Sequence, residues 1–267
     1  MTQQGSSKKN GLMPVLFVGH GSPMNALEDN AFTKSLQKLA AQLPRPKAIL
    51  SVSAHWETNG TKVVVHSQPK TIHDFFGFPQ ELNTFSYPAP GAPDIARRAV
   101  KLLSKLKAID TEDWGLDHGT WSVLCHIYPK ADVPVFQVSL DRELTLAEHF
   151  VVGKMLSILR EEGVMILGSG NIVHNLDLYV QRANAKPYEW AEDFDLKIKG
   201  LLVTKNSAGL IGIDKLAPDL VSYAVPTREH YLPLLYVVGA SRETDVVSFP
   251  FEGIQNSSIS MRTVLYS

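Results

Sequence analysis

Short apolar runs alternate along the chain with longer segments in which apolar residues recur every three or four positions. The runs at residues 15–19, 48–54, 133–140 and 164–168 have the length of strands and are mostly apolar, with polar residues only at Ser51, Ser53, Gln137 and Ser139. They predict strands buried on both faces, while residues 62–66, which alternate more, predict a strand with one exposed side. Helical spacing covers residues 30–43, 92–106, 145–162 and 188–204. The third of these opens with Thr145 three residues before Glu148, the spacing of a capping box, and carries His149 as a packing residue. Strand and helix in alternation predict an α/β fold: a single domain with a mostly parallel central sheet flanked by helices on both faces. The C-terminal "SFPFEGIQNSSISMRTVLYS" predicts a closing pair of strands.

Two segments fit neither pattern. Residues 73–94, "HDFFGFPQELNTFSYPAPGAPD", form a long loop dense in proline, glycine and aromatics, and residues 113–121, "DWGLDHGTW", a shorter one. Loops of that length without regular structure are uncommon in compact domains unless they serve a function.

Composition narrows the partners. At 267 residues, 44% hydrophobic and 20% charged, the chain can bury a substantial core. Its formal net charge is -1, and Lys and Arg are scattered rather than striped. A nucleic-acid or membrane partner is therefore not expected, and a small molecule is. The single cysteine, Cys125, lies in the apolar helical stretch "WSVLCHIYP" and reads as a packed thiol. The leader "MTQQGSSKKNGLMP" has no apolar core of a signal sequence, and no run approaches the roughly 18 apolar residues of a membrane helix. A flexible arm over residues 1–12, a catalytic domain over 13–267 and a cytoplasmic location are the expectation.

The chemistry is carried by histidines. His20 sits between two glycines directly after the first apolar run, His55 ends the second, and His174 follows "GSGNIV" shortly after the fourth. In an open α/β sheet, ligands gather beyond the carboxyl ends of the strands, so these three side chains are candidates for one site. Neutral imidazole is a common ligand of zinc and non-haem iron. A further ligand is offered by the adjacent Glu229 and His230, ahead of the apolar helical pattern at 231–238. Glu229 would complete a two-histidine, one-carboxylate set, and His230 an all-histidine set closer to zinc usage. The residues themselves leave that choice open. His174, reached through a loop, suits proton transfer better than rigid ligation. The aromatics Phe75, Phe76, Phe78 and Tyr87 read either as a flap over a ring-shaped substrate or as anchors of the loop. His73 is a candidate to bind substrate, and His66 and His126 read as structural. No G-x-S-x-G, P-loop, H-E-x-x-H or C-x-x-C pattern is present.

In order along the chain, "GHGSPM", "SAHWE", "TIHDFFGFPQEL", "YPAPG", "DHGTW", "GSGNIVHNL" and "PTREHYLPLLYVVGA" resemble the class III (LigB-like) extradiol dioxygenases, in particular the 4,5-DOPA extradiol dioxygenase branch. The resemblance runs from about residue 13 to about residue 240. It implies opening of a catechol ring beside its hydroxylated carbons with dioxygen at one divalent metal ion, zinc or iron(II). It also implies His20, His55 and His230 as ligands, His174 as acid/base, and His118 of "DHGTW" as a second catalytic or substrate-facing histidine. A zinc-dependent hydrolase on a related scaffold and a non-catalytic binding protein are the competing readings.

Overall fold

Six strands make the central sheet of the computed structural model, which describes residues 11–182 and 184–267. They are β1 (Val15–Gly19), β2 (Ala48–Ser53), β3 (Val135–Gln137), β4 (Val164–Gly170), β5 (Val247–Phe251) and β6 (Thr263–Tyr266). The spatial order is β3-β2-β4-β1-β6-β5. The first four pair in parallel, and the C-terminal two close the sheet antiparallel. Residues 1–10, most of the expected arm, lie outside the described residues.

The mostly apolar character of β1, β2 and β4 follows from burial on both faces. Val15 and Phe17 point into one core while Leu16 and Val18 point into the other; Ile166 and Leu167 divide the same way. Side chains alternate across a strand, so a strand covered on both faces is mostly apolar, and its few polar residues bond inside the core, as Ser51 does to Thr120 and Ser169 to the Gly119 carbonyl. Six longer helices do the covering: α1 (Ala31–Ala40), α2 (Pro93–Leu102), α3 (His118–Ile127), α4 (Leu146–Leu156), α5 (Glu189–Val203) and α6 (Leu232–Ala240). Residues of α1 and α3 pack in one core, and those of α2, α4, α5 and α6 in the other. Helix α6 is buried all round, and its Tyr236 hydroxyl lies 3.1 Å from His149 Nδ1 on α4. The capping box that opens α4 is formed as expected, with Thr145 and Glu148 bonding reciprocally. Among the described residues no helix is long and apolar enough to cross a membrane.

Several expected boundaries move. The run at 133–140 splits after Gln137: the Ser139 hydroxyl accepts from Lys62 N and bonds Thr58, and Leu140–Asp141 pairs with Glu57–Thr58. Residues Lys62–Val64 pair with Ile109–Thr111, outside the central sheet. Helices α2 and α4 end near 102 and 156, with short 3-10 turns beyond them. The segment 113–121 is a loop only as far as Asp117, which caps α3 through Thr120 N. Three short helices between Ser207 and Ala224 carry too few turns to show in the apolar pattern.

Candidate active site

Strands β2, β4 and β1 are parallel neighbours, with Gly19 opposite Gly170 and Ser53 opposite Ser169. Their carboxyl ends therefore deliver His55, the Ser169 end of β4 and His20 to one place. Gly21, at φ +62°, bends the chain away immediately after His20, a left-handed conformation that glycine adopts without strain. Gly19 packs against the backbone of Ser260 and Met261. The flanking glycines thus serve chain packing and turning. Gly170 leaves room for the carbonyl of His230, which a Cβ would strike; that carbonyl accepts from Asn171 N at 2.8 Å. His230 lies in the turn before α6 rather than in its first turn.

One ring nitrogen from each of His20, His55 and His230 lies within 4.8 Å of the others. Each ring is held by its other nitrogen. His20 Nδ1 bonds Ser169 Oγ at 2.9 Å, and that hydroxyl donates onward to the Gly119 carbonyl. His55 Nδ1 lies 3.1 Å from Asp74 Oδ2, and His230 Nδ1 3.0 Å from Glu229 Oε1. These partners assign Nδ1–H in all three rings and turn the Nε2 atoms toward one another. His20 Nε2 and His55 Nε2 are 3.0 Å apart. Two imidazole nitrogens that close need a positive particle between or beside them. Ligands about 2.1 Å from one ion and at a right angle would be separated by about that distance. The donor set therefore fits a divalent metal. Glu229, the alternative ligand, instead accepts from His230 and from Thr227 Oγ1 at 2.8 Å.

His174 arrives on the loop after β4, its backbone N–H donating to the Ala224 carbonyl at 2.8 Å. Its ring stacks on His230. His118, the first residue of α3, packs against His55 with ring centroids 3.8 Å apart. Burial, with weaker repulsion among the rings, depresses His20 and His230 well below the ordinary histidine value. Burial likewise lowers His118, against the pull of Asp74, and brings His174 down to about 4. These four imidazoles are neutral at neutral pH, the form that ligates metal or accepts a proton. Burial alone would raise Asp74, but its hydrogen bonds from His118 and His55 hold it far below the carboxylate range.

The histidines floor a cleft of about 510 Å³, a size usual for small-molecule sites. Phe75, Phe76 and Phe78 line one side; Leu176, Tyr179, Gln181, Asn256 and Ile259 line the other. Arg262 steadies this second wall, since its ion pair with Asp195 on α5 is joined by Ser260 Oγ on the same carboxylate. Two expected substrate contacts lie elsewhere. His73 Nε2 bonds the Phe85 carbonyl at 2.9 Å and opens onto a different hollow. Tyr87 is buried in the core with its hydroxyl donating to the Tyr128 carbonyl. Both anchor the aromatic loop, because a loop that long must satisfy its own polar groups before it can present a wall. His126 Nε2 bonds the Asn25 carbonyl across the fold, His66 Nδ1 accepts from the nearby Gln68 N, and burial pushes the packed Cys125 thiol up to about 12.

Residues missed from sequence are Asp74, Ser169 and the second wall. "HDFF" and "GSGN" contain the first two, yet neither an aspartate in a loop nor a lone serine at the end of a buried strand carries a periodic signal. Residues 14–262 match the family described as the catalytic LigB subunit of aromatic ring-opening dioxygenase. The chain belongs to the LigB family. It is 48% identical over 254 residues to the 4,5-DOPA dioxygenase extradiol of Escherichia coli K12, covering 94% of each chain. It is 36% identical over 249 residues to the Beta vulgaris protein of the same name, covering 88% of this chain and 89% of that one. A crystal structure of an uncharacterized Escherichia coli K12 protein superposes with a TM-score of 0.83 at 42% identity, covering 96% of this chain and all of that one. As a LigB-family member the chain is an extradiol ring-opening dioxygenase, which sets aside the hydrolase and binding-protein readings.

Proposed function

We propose that residues 13–267 act as one catalytic domain, in the cytoplasm, that opens a catechol of the 3,4-dihydroxyphenylalanine type beside its hydroxylated carbons. His20, His55 and His230 hold a divalent ion through Nε2. The single observation that carries this reading is the set of three rings, each pinned by Nδ1 and each offering its other nitrogen to a common point. Similarity to relatives named for DOPA supports the substrate class. When bound, the ion supplies a template for both catechol oxygens and dioxygen and lowers the phenol pKa; iron(II) is the productive occupant, because zinc has no redox chemistry.

The chain's own groups do the rest. His174, neutral above pH 4, takes a proton from a catechol hydroxyl and returns it as the ring opens. His118, with Nδ1 committed to Asp74, keeps Nε2 free as a second acceptor facing substrate. Phe75 and Phe78 cover the ring plane and exclude water, with Phe76 at the lip. The test is oxygen uptake with DOPA after anaerobic iron(II) loading, with appearance of the yellow ring-opened semialdehyde as the second readout. Stoichiometric oxygen use and product are expected with iron and not with zinc. Iron-loaded protein that binds DOPA yet consumes no oxygen would refute the proposal.

A further inference from the structure

The aromatic loop brings more than a wall to the cleft. Asp74, between His73 and Phe75, has a side chain only 16% exposed and accepts three hydrogen bonds. Its Oδ1 takes the backbone N–H of His118 at 3.0 Å; its Oδ2 takes His118 Nδ1 at 3.0 Å and His55 Nδ1 at 3.1 Å. Helix α3 already has its own cap in Asp117, so capping alone does not explain a second carboxylate there. The geometry points to Asp74 as a positioning residue that sets the orientation and tautomer of both His55 and His118, from the loop that carries the substrate wall. This inference rests on the ring-opening reading above.

One oxygen accepting two Nδ1–H groups fixes two tautomers at once. His55 is left with Nε2 turned to His20 Nε2, and His118 with Nε2 as the free nitrogen of a ring that lines the cleft. Asparagine has the same shape but cannot do this. With its oxygen toward the rings, its NH2 group confronts the His118 backbone N–H. Reversed, it confronts both Nδ1–H groups, and the rings must change tautomer. The neighbouring residues tie the same point to substrate. Phe75 packs edge-on against His118 with centroids 5.6 Å apart, and His73 is held by the Phe85 carbonyl. The base of the loop is thereby pinned on both sides of Asp74, leaving Phe76 and Gly77 as its exposed tip.

The experiment compares Asp74→Asn and Asp74→Glu with the full-length wild type. Zinc(II) binding to the metal-free proteins is measured by calorimetry, and kcat and KM for DOPA are measured after iron loading. Asp74→Asn is expected to keep its melting temperature within a few degrees, to bind zinc about 10–100-fold more weakly and to lose kcat at least tenfold, with KM shifting far less. Asp74→Glu, which keeps the acceptor, recovers part of both losses. Combined with His118→Ala, the Asn change costs less kcat than it does alone, because one of its two targets is gone. Unchanged zinc affinity and kcat in Asp74→Asn overturn the inference while leaving the ring-opening reading intact. So does a Glu variant as impaired as the Asn variant with both melting early, since the role is then structural. Wild-type protein that neither binds the ion nor consumes oxygen overturns the underlying reading and this inference with it.

Discussion

The imidazole of His174 lies flat on that of His230, with ring centroids 3.4 Å apart and planes within 7°. A neutral pair tolerates that contact, and a doubly protonated one does not. The stack also keeps His174 out of the set formed by His20, His55 and His230; its ring nitrogen groups instead with Glu229 and His230. His174→Ala is therefore expected to retain stoichiometric metal while losing on the order of 10²–10⁴-fold in turnover, the usual contribution of a positioned proton-transfer group. Metal analysis of the variant beside its kcat checks this, and loss of the ion would make His174 a ligand.

Ligand and supporting partner are separable at Glu229 and His20. His20→Ala is expected to abolish stoichiometric metal. Glu229→Gln removes only the acceptor that orients His230 and is expected to weaken binding about 10–100-fold. Zinc titrations of the two variants give the comparison, and equal, complete loss in both would mean that Glu229 coordinates directly.

Phe76 is 92% exposed at the lip of the cleft, so its ring contributes nothing to the core. Phe76→Ala is expected to shift stability by no more than about 0.5 kcal/mol and to raise KM for a catechol several-fold. A fall in kcat at unchanged KM would instead place the ring in the chemical step.

Acid sensitivity has a source remote from the cleft. Burial holds His149 at about 4, below its ordinary value near 6.5. Between those values the unfolded chain takes up a proton that the folded protein refuses, so stability present above pH 6.5 is lost as the pH falls toward 4. That difference amounts to at most about 3 kcal/mol. The depressed site histidines act in the same direction, so His149→Gln is expected to flatten the decline in Tm of the metal-free protein without removing it. Activity at neutral pH is expected to stay unchanged, and a Tm profile parallel to wild type would count against the assignment.

The central strands were legible because burial on both faces leaves a local mark. Residues 15–19 and the start of β4 at Val164 needed no tertiary information. His20 and His55 were legible for the same reason, each sitting just past such a strand. What escaped the sequence depends on contacts between distant segments. Whether Tyr87 faced cleft or core turned on a carbonyl 41 residues away. Asp74 meets His118 across 44 positions. The second wall comes from segments near 176–181 and 256–259, distant in sequence and joined by backbone hydrogen bonds from Asn175 to Ser258 and from Val180 to Asn256. His118 was placed in a loop because its helix begins at the residue itself, capped by an aspartate.

The order β2-β4-β1 at the centre of the sheet has a temporal side. A chain leaving the ribosome releases His20 and His55 early, yet the strand that sits between theirs begins only at Val164 and His230 follows later still. Until β4 inserts, the two early imidazoles have no common floor, and His20 lacks Ser169 to fix its ring. On the proposed three-histidine set, the complete site exists only once nearly the whole domain has been synthesised, because every shorter nascent fragment lacks His230.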